Sequence, residues 1–144
     1  LKKQIKKFIA TAIVFSAIIG LSNVAEAAMH PWKKVPQAGS TCEVRAWTDY
    51  LSYSTRATSV DFYLEQRGNC GTLRYSATAN IYDGGGYLNA ISSVETGSFS
   101  YRTPVKKAKL TKFSRPSSGP LFAQLYKNGK SVGSYQSNNL SFPR

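Results

Sequence analysis

Between Thr58 and Tyr82 apolar and polar side chains alternate almost without a break, and this alternation limits the possible folds more than any other feature. Val60, Phe62 and Leu64 interleave with Asp61, Tyr63 and Glu65. Past Arg67-Gly68-Asn69-Cys70-Gly71, the residues Leu73, Tyr75, Ala77, Ala79 and Ile81 interleave with Arg74, Ser76, Thr78 and Asn80. A repeat of two puts alternate side chains on opposite faces of an extended strand, as in a half-buried sheet. The spacing predicts two strands closed by a tight turn into a central β-hairpin.

The flanking sequence reads the same way. Thr41 to Tyr53 has strand composition, with Cys42, Val44 and Ala46 opposite Glu43, Arg45 and Trp47. Asp83-Gly84-Gly85-Gly86 predicts a second hairpin, from the Leu73 strand into Tyr87 to Val94. Phe99 to Thr103 and Val105 to Phe113 are β-like, and Arg115 to Pro120 reads as a loop. Asn128-Gly129, between Leu121–Tyr126 and Ser131–Gln136, is a strong hairpin signal. No amphipathic helix appears after residue 27. The expected fold is all-β: a small antiparallel sandwich or barrel of about seven or eight strands.

Lys2, Lys3, Lys6 and Lys7 precede an apolar run from Phe8 to Ile19, which leads to an Ala25-Glu26-Ala27 site. This is the layout of a cleaved secretory signal peptide. As a helix the run reaches only about 18 Å, against about 30 Å of bilayer hydrocarbon. Residues 1–27 are therefore read as the signal, 28–40 as an extended arm rich in Pro and Gly, and 41–144 as one β domain. Export makes a disulfide between the two cysteines, Cys42 and Cys70, the expected state. Closing that loop of about 29 residues stabilises a fold by about 3 to 4 kcal/mol.

Charge points to partners. From Ala28 to Glu95 six basic and six acidic residues balance, whereas no acidic side chain follows Glu95 and nine basic ones do. Arg102, Lys106, Lys107, Lys109, Lys112, Arg115, Lys127 and Lys130 are the candidate polyanion-binding residues, because a surface of one sign concentrates polyanions. Lysines also blunt exposed edge strands, which would account for Lys106 to Lys112 without a ligand. For an exported chain the available polyanions are anionic cell-wall polymers, membrane surfaces and shed nucleic acid. Tyr101, Phe113, Phe122, Tyr126 and Tyr135 lie among the charges, so single-stranded nucleic acid stays among the candidates. No amphipathic segment offers a face for membrane insertion.

Catalytic patterns are weak. Asp61 and Glu65 share a strand face, but about 13 Å of backbone separates them, more than the roughly 5 to 9.5 Å of a glycosidase carboxyl pair. The single histidine, His30, lies in the arm, far from any Ser-His-Asp constellation in sequence. If cleavage follows Ala27, the new terminus Ala28-Met29-His30 offers an amine, two amides and an imidazole to Cu(II) or Ni(II). The reading is a secreted, non-enzymatic cationic β-sandwich without cofactor, wall-associated or antimicrobial, that binds anionic envelope polymers. The alternative is a protein–protein module, such as an inhibitor of a secreted hydrolase, using an exposed loop or tyrosine surface, with the loops around Asp83 to Tyr87 and Arg115 to Pro120 as contact points.

Overall fold

A computed structural model describes residues 26–111 and 115–143. The segment read as a signal peptide lies almost wholly outside these residues, as do Lys112, Phe113 and Arg144. Ten strands run through the described chain, which contains no helix: β1 Ala28–Met29, β2 Lys33–Lys34, β3 Glu43–Thr48, β4 Ser59–Arg67, β5 Leu73–Asp83, β6 Leu88–Ile91, β7 Glu95–Phe99, β8 Lys106–Lys109, β9 Ser117–Lys127 and β10 Lys130–Phe142. They form two antiparallel sheets. In the first, β1 and β2 lie in tandem along one edge of β3, followed by β4 and then β8. In the second the order is β10, β9, β5, with β6 and β7 in tandem along the far side of β5.

The alternation in β4 and β5 is real, but the two strands are not a hairpin. β4 pairs with β3 and β8, while β5 pairs with β9, β6 and β7, so the chain crosses between sheets after Arg67. A period of two says that one face is buried and is silent about which neighbour a strand takes. The corner itself directs the crossing. Cys70 is fully buried and bonded to Cys42, and the Asn69 side chain accepts from both the amide and the hydroxyl of Thr41. Gly68, at φ 83°, lies so close to Thr41 that a Cβ would overlap the Thr41 carbonyl oxygen. These contacts fold the corner back onto the start of β3.

Further expectations change: ten strands form in the described chain where seven or eight were expected, and β7 ends at Phe99, so that Phe99 to Thr103, read as β-like, is mostly connection. Ser117 to Pro120, read as loop, is the first third of β9 and pairs with both β5 and β10. Proline lacks the N–H that an interior strand supplies. Here the ladder is interrupted on both sides of it, by the register shift between Gln136 and Asn139 in β10 and by the unpaired step from Ala79 to Tyr82 in β5. Residues 28–40, read as an arm, supply β1 and β2 and so edge the first sheet. The remaining hairpins match: β5 turns into β6 over the glycines, and Asn128 and Gly129 take φ 51° and 75° between β9 and β10.

The sheets bury their facing sides. Val44, Ala46, Val60, Phe62, Leu64 and Ala108 from the first meet Leu73, Tyr75, Ala77, Ala79, Ile81, Leu121, Leu125, Tyr135 and Phe142 from the second. Removing each large side chain from water contributes about 1.5 to 3 kcal/mol. Alternation then leaves the opposite side of each strand for solvent.

Candidate functional site

The outward side of the first sheet carries a connected network of charged and aromatic side chains. On β3 it carries Glu43, Arg45 and Trp47, and on β4 it carries Asp61, Tyr63, Glu65 and Arg67. The register sets these directly opposite one another: Glu43 faces Arg67, Arg45 faces Glu65, and Trp47 faces Tyr63. Cross-strand neighbours of this kind have Cβ atoms about 5 Å apart, close enough to interact. Both charged pairs form ion pairs, and the two rings stack at 5.2 Å and 10°.

Side chains from neighbouring segments extend the rows. Trp32, just before β2, lies beneath two guanidiniums, with Arg45 and Arg67 each 4.3 Å from its ring. Arg102 reaches in from the β7–β8 connection, 3.2 Å from Glu65 and 4.7 Å over the Tyr63 ring. A cation over an aromatic face gains about 0.5 to 2 kcal/mol and keeps edge donors free for a further acceptor. Glu65 is the hub, only 4% exposed and bonded to Arg45 at 2.9 Å and Arg102 at 3.2 Å. Burial pushes its carboxyl up, but the two guanidiniums outweigh that and hold it below the usual range.

Lysines close the far side of this surface. β8 is the edge strand beyond β4, and its Lys107 and Lys109 stand opposite Asp61 and Ser59 on the outward side. Lys107 pairs with Asp61 at 3.2 Å. Lys34, Arg45, Arg67, Arg102, Lys107 and Lys109 thus outnumber Glu43, Asp61 and Glu65 on one face.

The other candidate cations are dispersed. Lys106 stands opposite the buried Phe62, on the inward side of β8. Arg115 pairs with Asp83, whose carboxyl is held low by the Tyr87 and Gly85 amides and by that guanidinium. Lys127 donates to the Ala38 carbonyl at 2.6 Å, and Lys130 sits beside it at the β9–β10 turn. Lys112 is outside the described residues. The sequence asymmetry is therefore largely local: acids of the first half meet bases of the second in three of the five ion pairs seen among the described residues.

His30 is not in a free arm. It is 2% exposed, its amide donates to the Ala46 carbonyl at 2.8 Å, and its Nε2 lies 2.9 Å from the Thr48 hydroxyl. Burial and then Lys33 lower its pKa. The square-planar site drawn for Cu(II) or Ni(II) needs that same amide deprotonated, so it is incompatible with β1 paired as it is. Among the described residues no group of three or more His, Cys, Asp or Glu side chains converges on a point. Tyr53 is 2% exposed and stacks on Phe142 at 4.9 Å.

A profile of the YqgA MG2 macroglobulin domain matches residues 25–142, the whole span of β1 to β10. The chain belongs to the YqgA MG2 macroglobulin family. The matched span includes β1 and β2, so the family domain begins ahead of the strands that alternation makes obvious. Over 114 residues the chain is 35% identical to the cell wall-binding protein YqgA of Bacillus subtilis (strain 168), covering 78% of this chain and 77% of that protein. No solved structure matches the chain. Within this family member, the residues that alternation alone did not single out as a site are Trp32, Arg45, Trp47, Tyr63 and Arg67. The sequence signal for most of them was present, as the outward positions of β3 and β4.

Proposed function

We propose that the protein is a non-enzymatic cell-wall-binding module that holds anionic wall polymer along the outward face of its first sheet. The observation that carries the reading is the row of arginines laid over Trp32 and Tyr63, continued by Lys107 and Lys109 on the edge strand. Relatedness to a protein described as cell wall-binding supports it. Guanidiniums anchored on rings present fixed donor edges to phosphate or carboxylate oxygens, while the lysines act as mobile point charges. A polymer with a repeating anion can cross the face and meet both kinds. The working location is the wall, outside the membrane.

The test is sedimentation of the purified protein with isolated walls, with and without their phosphate polymers, at about 0.05 and 0.5 M salt. Binding that requires the polymer and falls at high salt supports the reading. Lys107→Gln with Lys109→Gln should weaken binding at low salt and leave the unfolding free energy within about 0.5 kcal/mol of the parent, as exposed charges do. Equal binding by the double variant and the parent would remove this face from the mechanism.

A further inference from the structure

Where the chain passes from β3 to β4 it lines an open cavity of about 470 Å³ at the end of the sandwich, beside Lys107. Pockets for small molecules run from about 300 to 1,000 Å³. The side chains that matter are Asp49, Tyr50, Tyr53, Arg56, Asp61 and Lys107. Asp49 Oδ1 accepts from the Tyr53 hydroxyl at 2.7 Å and from the Asp61 amide at 3.1 Å, while Oδ2 has no partner among the described residues. Burial, and then the nearby Asp61 charge, hold the Asp49 carboxyl above its ordinary range, and hydrogen bonds from the Tyr53 hydroxyl and from backbone amides offset this only in part.

The other groups are set around it. Tyr50 is 41% exposed and sits edge-on against Tyr53 at 5.7 Å and 85°, which steadies its ring at the surface. Arg56 is exposed and has no ion pair among the described residues. Asp61 is already satisfied by Lys107 and by the Ser59 hydroxyl. What remains for a ligand is one carboxylate oxygen, one guanidinium and one aromatic face.

This mixture selects by chemistry. A phosphate would meet Asp49 and Asp61, and a bare ammonium would meet Arg56 and Lys107, so each encounters a like charge. A sugar hydroxyl both donates and accepts, and a pyranose has an apolar face as well. We infer that the cavity binds one pyranose ring of a wall glycan, with ring hydroxyls on Asp49 Oδ2 and Arg56 and the ring face on Tyr50. The inference rests on the wall-binding reading for where the protein meets glycan. It adds a neutral, stereospecific contact to a charged one. A polymer crossing Lys107 on the sheet face would present its sugars at the mouth of the cavity.

The experiment is an amide-resolved NMR titration of the purified protein with a β-1,4-linked N-acetylglucosamine tetramer and, separately, with methyl α-glucoside. The first stands for wall glycan strands and the second for sugar substituents on phosphate polymers. Saturable shifts confined to the β3–β4 connection, unchanged between about 0.05 and 0.5 M salt, are expected for at least one of them. Asp49→Asn keeps an oxygen for Tyr53 and the Asp61 amide, and so keeps the fold, but turns the free acceptor into a donor. That variant and Tyr50→Ala should each weaken binding about tenfold or more, while Lys109→Gln should not. No saturable shift with either sugar, shifts lost at high salt, or shifts that survive both cavity variants would overturn the inference. Sugar saturation without wall sedimentation would overturn the sheet-face reading alone, and the converse would overturn the cavity alone.

Discussion

Replacing Glu65 with Gln should weaken the fold and strengthen polyanion binding at the same time. The side chain is 6% exposed and receives two charged hydrogen bonds. The one from Arg45, itself 26% exposed, is largely shielded and should be worth about 1.5 to 3 kcal/mol. Arg102 is 43% exposed, so solvent screens most of its share. Gln keeps one acceptor and the shape, which leaves an expected loss of about 2 kcal/mol, or about 8 °C in Tm for a domain of this size.

The acid limb of stability should change with it. Glu65 has a folded pKa below the ordinary 4.5, so its contribution is complete above that value and is lost as pH falls through the folded one. Glu65→Gln should flatten this part of the profile. Two guanidiniums released on the outward face should meanwhile raise wall binding at low salt. Denaturant titrations between pH 7 and pH 2.5, alongside wall sedimentation, measure both effects. A variant within 0.5 kcal/mol of the parent at pH 7 and with the same acid slope would refute the hub role of Glu65.

Gly119→Ala should be among the most damaging single-methyl changes, because the added Cβ would overlap the Asn80 carbonyl oxygen and force β5 and β9 apart. A loss of about 3 kcal/mol or more by chemical denaturation is expected, against under 1 kcal/mol for Gly84→Ala, where nothing stands within 4 Å. His30 has a folded pKa below 6.5, so stability should fall as pH drops from 6.5 through the folded value, and His30→Gln should remove that component from the denaturation profile. Reducing the Cys42–Cys70 bond should cost about 3 kcal/mol and speed proteolysis at the corner after Arg67, read by limited digestion with and without reductant.

The elements were legible because strand periodicity is local. The outward residues of β3 and, up to Glu65, of β4 follow from alternation in Glu43–Trp47 and Asp61–Glu65. Their partners were not legible, since register is set by contacts between strands far apart in sequence. Arg45 and Glu65 lie 20 residues apart and Arg102 lies 37 beyond Glu65, so no local window contains that triad. For the same reason β4 and β5 looked like a hairpin: the five residues between them serve a turn or a crossing equally, and the link from Cys70 to Cys42 decides. Charge misled in the opposite direction. A half without acids suggested one basic surface, but Asp61, Glu65 and Asp83 cross the fold to Lys107, Arg102 and Arg115. Ser117 to Pro120 carried loop residues into a strand because the ladder breaks around the proline on both sides.

Among the described residues, all four borders of the sandwich are short or interrupted. The first sheet ends on one side in the two-residue strands β1 and β2, and on the other in the lysines of β8. The second ends in the broken pair β6 and β7 and in β10, whose ladder shifts register twice. A border of this kind gives a neighbouring copy no long row of free amides and carbonyls to continue. Molecules crowded along one polymer thread would then remain separate tenants, each arriving and leaving by its own contacts. Coverage of the thread would follow the spacing of its binding groups and the supply of protein, with no growing front of one copy templating the next.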